Sequence, residues 1–343
     1  MFYKILIRPV FFILDAEAVH NFVLKFFSKA AFAYPLLKFI YAPKNNLPVK
    51  TGDLIFKNLL GLAAGFDKNG IAIRFWEAIG FSHVEVGTVT PLSQTGNPKP
   101  RIFRLKKDHA LINRLGFNNK GAEQINKNIE IARRHTGKDF IIGVNIGKNK
   151  NTPIKDAFND YRTCFEKLYD AADYFTINIS SPNTEGLRTL HEKEHLDHLL
   201  SEIQLLNTEI SAVKNCKLKK IFLKIAPDIS TEMIEMIFHL SIKNKITGIV
   251  ATNTTVERAE LKSRTNENGG LSGKPLKAMS DKVLSKFNDL VNANPEAPLM
   301  LIGVGGVFGR NDFNDKMNSG ASLIQVYTGF IYEGPAIIKK ILL

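Results

Sequence analysis

The stretch "NISSPNTEGLR", residues 178–188, sets two serines among amides directly after the apolar alternation Tyr174-Phe175-Thr176-Ile177. A hydroxyl at a strand end can act as a nucleophile or as a base. A nucleophile of the acyl-transfer kind needs a histidine and a carboxylate beside it, and the next histidine, His191, stands well downstream. Other polar groups recur just after apolar runs: Lys68 behind "AAGFD", and Asn113, Asn145, Asn178, Asn183 and Asn253. A side-chain amide offers both a donor and an acceptor. Together these amides suit a planar ligand with alternating N–H and C=O edges, and a lysine suits its carboxylate. Any one asparagine is equally a turn residue; the set carries the inference.

Lys224 lies inside the apolar run "IFLKIAP". Burying a lone ammonium is costly, so this lysine either snorkels at a strand end or serves a ligand. The favoured reading is a cation beside a flavin ring, stabilising negative charge on its reduced form. "IGVGGV" and "QVYTGF", near residues 302–307 and 325–330, place glycines where backbone N–H groups can meet a phosphate. Each alone could be a tight turn. Gly303-Val304-Gly305-Gly306 does not extend to a dinucleotide fingerprint, because the third glycine would fall on Phe308.

"HEKEH", residues 191–195, spells the helical zinc motif H-E-x-x-H, with His198 close behind. Its surroundings, "HEKEHLDH", are strongly charged and read better as the solvated start of a helix. No metal is expected.

What must position these groups is a series of short β-branched runs, at 59–64, 83–89, 140–146, 174–179, 221–225, 248–252, 300–304 and 323–327. Helical stretches such as 70–79, 152–172, 192–214 and 231–244 lie between them. Eight such alternations predict an α/β fold, a (β/α)8 TIM barrel, whose chemistry sits at the C-terminal strand ends. The polar clusters fall there in phase, eight times over. Residues 91–118 interrupt the alternation and predict an excursion, a hairpin, from the second strand-to-helix loop.

Residues 1–45 read as a separate helical extension, with Asp15 as N-cap and Val19, Phe22, Val23, Phe26, Phe27 and Ala30 at helical spacing. Its aromatic face and basic flanks suit a helix lying in a membrane interface; a helical hairpin packed on the barrel is the other reading. The longest apolar run there, Val10 to Leu14, is far below the ~20 residues of a spanning helix, and no secretory cleavage pattern follows it.

The 343 residues, 44% of them hydrophobic, are ample for a barrel core. Cys164 and Cys216 have no paired spacing and predict free thiols rather than a disulfide framework. A net charge of +13 could attract nucleic acid, lipid or anionic metabolites. No zinc-finger, RNP or recognition-helix pattern accompanies it, so nucleic acid is not an expected partner.

With these residues assembled, the chain resembles the dihydroorotate dehydrogenase family, in its quinone-dependent, membrane-associated class. The resemblance rests on "GLAAGFDKNG", "EVGTVTP", "GNPKPRIFRL", "LINRLGFNNKG", "NIGKNKNTP", "NISSPNTEGLR", "KIAPD", "ATNTT", "GGLSGKPL", "IGVGGV" and "GFIYEGP", in order from about residue 55 to the C-terminus. It implies an FMN-containing barrel at 46–343 that oxidises dihydroorotate to orotate in pyrimidine biosynthesis. It also implies that residues 1–45 lead a membrane quinone to the flavin, on the cytoplasmic face of the inner membrane in a bacterium. By the same resemblance Ser181 is the base that takes a proton from C5 while hydride leaves C6, with Thr184 and ordered water as onward acceptors. The related soluble class carries cysteine at the position of Ser181.

FMN would be held by Ala63, Ala64, Gly65, Thr88, Asn145, Asn178, Lys224, Thr252, Gly273, Gly306, Tyr327 and Thr328. Dihydroorotate would meet Lys68, Asn113, Arg114, Leu115, Gly116, Phe117, Asn178, Asn183, Asn253 and Thr254. His20 and Arg104 match polar residues of the quinone tunnel. A flavin-binding protein without catalysis is the alternative that these residues alone leave open.

Overall fold

Runs of Val, Ile and Leu buried on both faces form strands that need neighbours on either side and cover above and below. In the computed structural model, which describes residues 2–44, 48–51, 53–258 and 261–343, eight of them close a parallel barrel. They are β1 (Leu60–Leu62), β2 (His83–Val89), β3 (Ile141–Ile146), β4 (Tyr174–Asn178), β5 (Lys220–Ile225), β6 (Gly248–Ala251), β7 (Met300–Val304) and β8 (Leu323–Val326). Each pairs with its neighbour in chain order, and β8 returns to β1 through Ile324 opposite Leu60. The eight expected strands are all present, with ends moved by one or two residues. Helices follow the strands on the outside, among them Ile73–Ala78, Ala157–Leu168, Lys193–Lys214 and Thr231–Lys243.

The excursion after β2 is the expected hairpin, Ile102–Leu105 against Ala110–Asn113. It carries something the sequence did not announce. A third strand, Gly270–Gly273, arrives from the loop after β6 and pairs antiparallel with the hairpin, Gly270 opposite Asn113 and Gly273 opposite Ala110. Gly273 has φ +100°, and a Cβ there would stand 2.3 Å from the His109 carbonyl oxygen. The strand can come this close only as glycine.

The N-terminal unit is helical as read. Asp15 caps α1 (Ala16–Lys29), its Oδ1 accepting from the Ala18 N–H at 2.8 Å; α2 (Tyr34–Tyr41) follows. The packed reading of this unit holds for one of its faces, and the other face is left exposed. The inner face packs on the barrel: Phe27 stacks on Phe75 at 4.0 Å, and buried Glu17 takes both Nε and Nη2 of Arg101 at 2.9 and 2.7 Å. Ahead of α1, Tyr3 and Arg8 bond the backbone of Ile331 and Tyr332. The outer face leaves Phe32, Leu36, Phe39 and Ile40 exposed, Phe32 by 85%. No described helix is long and apolar enough to cross a membrane. The proposed division at residue 45/46 falls on residues 45–47, outside the described ones.

Candidate active site

The C-terminal ends of the strands open into a cleft of about 930 Å³, its open mouth included. Its walls carry Ala63, Ala64, Gly65 and Lys68 after β1, and Thr88 from β2. Asn113, Leu115, Gly116 and Phe117 come from the excursion, and Asn178, Ser181 and Asn183 from the β4 end. Lys224, Thr252, Asn253, Thr254, Gly273, Gly306, Tyr327 and Thr328 complete it.

Local chemistry fixes each of these groups. After β1, buried Asp67 accepts from the N–H groups of Ile71 and Ala72 at 2.9 and 2.8 Å and from the Trp76 indole at 3.1 Å. That holds the turn from which Lys68 projects, and its Nζ reaches Asn118. Desolvation first, and the Arg101 charge second, lower the Lys68 pKa to about 7 against an opposing pull from Glu17. At the end of β4, Asn178 Oδ1 accepts from Ser180 N and Oγ at 3.2 and 3.1 Å, an Asx-type turn that throws Ser181 forward. Ser181 Oγ accepts from the Asn183 N–H at 3.3 Å. Asn183 in turn donates to Asn113 Oδ1 at 3.3 Å, and Asn253 donates to Ser180 Oγ at 3.0 Å. The serine loop is thus tied to the excursion and to the end of β6.

Beneath the cleft runs a buried relay. Glu85 accepts from Asn145 Nδ2 at 2.8 Å, Gln325 Nε2 at 2.9 Å and the Tyr174 hydroxyl at 3.2 Å. Asn145 is thereby oriented with its Oδ1 upward, where it accepts from Thr88 Oγ1 at 2.6 Å and Asn178 Nδ2 at 3.1 Å. Asn145 does not itself line the cleft; it orients two residues that do. Lys224 projects into the cleft with no hydrogen-bond partner among the described residues. Burial pulls its pKa down, and the Glu85 charge pulls it back up.

The cleft fits a flavin phosphate cofactor. A buried cation without a partner, an unpartnered Gln325 Oε1, and the backbone of Gly305 and Gly306 at φ +124° and +74° meet in one space. A flat polar ring with an anionic tail answers all three. Arg114 stands elsewhere: its guanidinium pairs with Glu267 at 2.5 Å, bonds the carbonyls of Asn268 and Pro100, and lies over Phe103, so it braces the excursion from outside. Ser272 and Leu276 line the cleft and were not singled out from sequence. Ser272 Oγ lies 2.8 Å from Thr328 Oγ1, and "GGLSGKPL" was the signal that held it.

A second cavity, about 1510 Å³ with its mouth, lies between the N-terminal helices and the barrel. Its lining is nearly all aromatic and aliphatic: Phe11, Phe12, Phe22, Phe26, Phe27, Leu37, Phe66 and Phe75 among others. His20 and Arg104 are its polar members. His20 packs 5.0 Å from the Phe66 ring, and desolvation chiefly lowers its pKa to about 4. Arg104 bonds the Leu14 carbonyl at 2.7 Å and sits 4.9 Å over Phe12. Tyr327 belongs to both cavities and is the wall they share.

The "HEKEH" stretch does not form a zinc helix. His191 ends a short 3-10 turn, its Nδ1 3.1 Å from the Arg188 carbonyl, while the helix carrying His195 starts only at Lys193. Among the described residues no three His, Cys, Asp or Glu side chains converge to hold a metal.

Comparison with known proteins places this geometry. The family model "Dihydroorotate dehydrogenase" matches residues 46–343. The curated "Dihydroorotate dehydrogenase (quinone)" of Vibrio parahaemolyticus serotype O3:K6 is 45% identical, covering 99% of both chains. That of Shewanella sp. (strain MR-4) is 46% identical over 99% of this chain and 98% of its own. The crystal structure of DHODH from Eimeria tenella in complex with ferulenol superimposes with a TM-score of 0.81 at 37% identity, covering 90% of this chain and 89% of that one.

Proposed function

The chain belongs to the dihydroorotate dehydrogenase family, and on that premise we propose which of its residues carry the reaction. The activity is oxidation of dihydroorotate to orotate in pyrimidine biosynthesis, with FMN as cofactor and a quinone as final acceptor. Bound FMN supplies the two-electron acceptor for hydride from C6 of the substrate.

In our reading Ser181 is the base that takes the C5 proton. A free hydroxyl is far too weak a base at neutral pH. Here the Asn183 N–H donates to Ser181 Oγ and stabilises the negative charge left as the serine's own proton passes onward, and that oxygen then takes the C5 proton. Thr184, buried on the same loop, is the proposed next acceptor together with water. Lys68 receives the substrate carboxylate, while Asn113, Asn178, Asn183 and Asn253 read its ring edges. Leu115, Gly116 and Phe117 cover it and exclude water, Thr254 closes the rim, and Arg114 serves by holding this segment in place.

Ala63, Ala64, Gly65, Thr88, Thr252 and Tyr327 would frame the flavin, with Gly273, Gly306 and Thr328 toward its phosphate. Lys224 would face the ring from below, its charge kept by Glu85, and Asn145 would act through Thr88 and Asn178.

The N-terminal unit is the quinone entrance in this reading. Its inner cavity accepts an apolar ring and tail, and its exposed aromatic outer face rests on the membrane, which for a bacterial cell would be the cytoplasmic side of the inner membrane. Through the residues that bound it, residues 1–45 form the membrane and quinone unit and 46–343 the catalytic barrel. The observation that carries the reading is the meeting of two chemically opposite cavities at one residue, Tyr327. The test is an anaerobic titration with dihydroorotate, followed by flavin absorbance. Stoichiometric bleaching is expected; a bound flavin that stays oxidised would leave only the non-catalytic flavoprotein.

A further inference from the structure

Ser181 sits on a loop, and a base on a loop is useful only while the loop is held. Asn253 and Asn113 bond it from within the site, Asn97 and Tyr161 bond its Asn183 and Asn178 carbonyls from behind, and a further contact comes from along the chain. Arg188, ten residues past Asn178, folds back over the loop and pairs with Asp228 at 2.8 Å. The same guanidinium donates to the Ser180 carbonyl through Nε and to the Thr254 carbonyl through Nη2, both at 3.4 Å. Asp228 closes "KIAPD" after β5; its Oδ1 accepts from the Thr255 hydroxyl, while the Val256 N–H approaches Oδ2, the oxygen that Arg188 holds, at 3.4 Å.

One arginine and one aspartate therefore join the loops after β4, β5 and β6. Each backbone carbonyl that Arg188 reaches belongs to a residue adjacent to a proposed substrate group: Ser180 precedes Ser181, and Thr254 follows Asn253. Neither charged side chain lines the cleft. Their side chains are 29% and 12% exposed, so water screens the pair only in part. A contact of this kind does no chemistry, yet it decides whether the serine oxygen stands in line with the C–H bond it must break.

We infer that Arg188 and Asp228 are positioning residues for the proton-abstraction step, a latch that holds the Ser181 loop against the β5 and β6 loops. The inference rests on the assignment of Ser181 as base. It makes the latch specific to the reductive half of the cycle, since reoxidation by quinone takes place through the opposite wall and needs no base at Ser181.

The experiment compares Arg188→Gln, Asp228→Asn and the double variant, each as the flavin-loaded full chain, in separate half-reactions. Flavin bleaching by dihydroorotate should slow ~10- to 100-fold, the scale set by small misplacements of reacting groups. Reoxidation by a soluble quinone should stay within about twofold, and the double variant should be no slower than the worse single one. Arg188→Lys, which keeps the charge but loses the fork, should recover part of the rate. Thr255→Val removes only the hydroxyl that braces Asp228. It should slow bleaching about threefold and covers the case in which the charge variants do not hold flavin. Bleaching unchanged in Thr255→Val and in the charge variants, or equal losses in both half-reactions, would overturn the latch. A wild-type protein whose flavin is not bleached at all would instead overturn the catalytic reading beneath it.

Discussion

The two cavities that share Tyr327 are built on opposite rules. The cleft is specified atom by atom: Glu85 orients Asn145, Asn145 orients Thr88 and Asn178, and Asn178 turns the chain toward Ser181. Its donors have few alternative partners, so a single amide lost leaves others unpaired in a buried space. The aromatic cavity is specified by area and shape. Its rings pack against one another, as Phe26 against Phe27 and Phe66 against Tyr327, with few hydrogen bonds among them, such as that from Arg104 to the Leu14 carbonyl. One region discriminates, the other admits. Changes in the first should therefore act steeply on one chemical step, and changes in the second should grade smoothly with apolar area.

The sharpest break of that comparison is Ser181→Ala. The variant should bind flavin normally and lose ~10²- to 10⁴-fold in its rate of anaerobic bleaching by dihydroorotate. Reoxidation by quinone should be untouched, and near-normal bleaching would remove Ser181 from its role.

Next is the pH dependence of ligand affinity in the cleft. Burial lowers the Lys68 pKa to about 7, and in its proposed role only the protonated form pairs with the carboxylate of orotate. Below that pH the ammonium is already present. Above it a proton must be taken up on binding, so the dissociation constant should rise up to ~10-fold per pH unit. Orotate titrations of the oxidised enzyme between pH 6 and 9 would show this, and Lys68→Arg should flatten the profile. A dissociation constant independent of pH across that range would separate Lys68 from the carboxylate.

A smaller and graded effect is expected on the apolar side. Phe32→Glu with Phe39→Glu should weaken binding to lipid vesicles several-fold, because each ring contributes about 1.5–3 kcal/mol when fully buried and less at an interface. Turnover with a membrane quinone should fall alongside, while flavin bleaching should not change. Equal vesicle binding by the two proteins would move the membrane contact off this face. The smallest effect is none at all: overnight dialysis against EDTA should leave both half-reactions as they were, and a loss restored by zinc would bring the "HEKEH" stretch back into play.

The sequence made some of this legible and hid the rest for physical reasons. The barrel strands were readable because they are buried on both faces and so are rich in apolar, mostly branched residues, as in Ile141–Ile146. The strand Gly270–Gly273 was not, since "GLSG" has neither alternation nor branching and owes its conformation to a partner far away in the chain. Lys68, Lys224 and the serine pair Ser180-Ser181 stand out by residue type and by position at strand ends, and only the family resemblance singles out Ser181 from the pair. The family's motifs then added the full set, but a motif does not say which way a side chain points. Asn145 works from one layer below, and Arg114 turns its charge outward to Glu267. The pairing of Arg188 with Asp228 was hidden most thoroughly, because both lie in quoted motifs and nothing local in either names the other.

The strand Gly270–Gly273 also bears on how the molecule comes into being. It seals the hairpin that carries Asn113, across a separation of 157 residues. Closing so long a loop is entropically slow and is rewarded only once the intervening strands have docked. During synthesis the hairpin leaves the ribosome early and waits, one edge unpaired, until about half of the chain has followed it. An open edge invites other strands; this one, Ala110–Asn113, is short, and the turn before it carries Lys106, Lys107 and Asp108. The wall of the cleft that carries Asn113 is therefore complete only when the barrel is nearly whole.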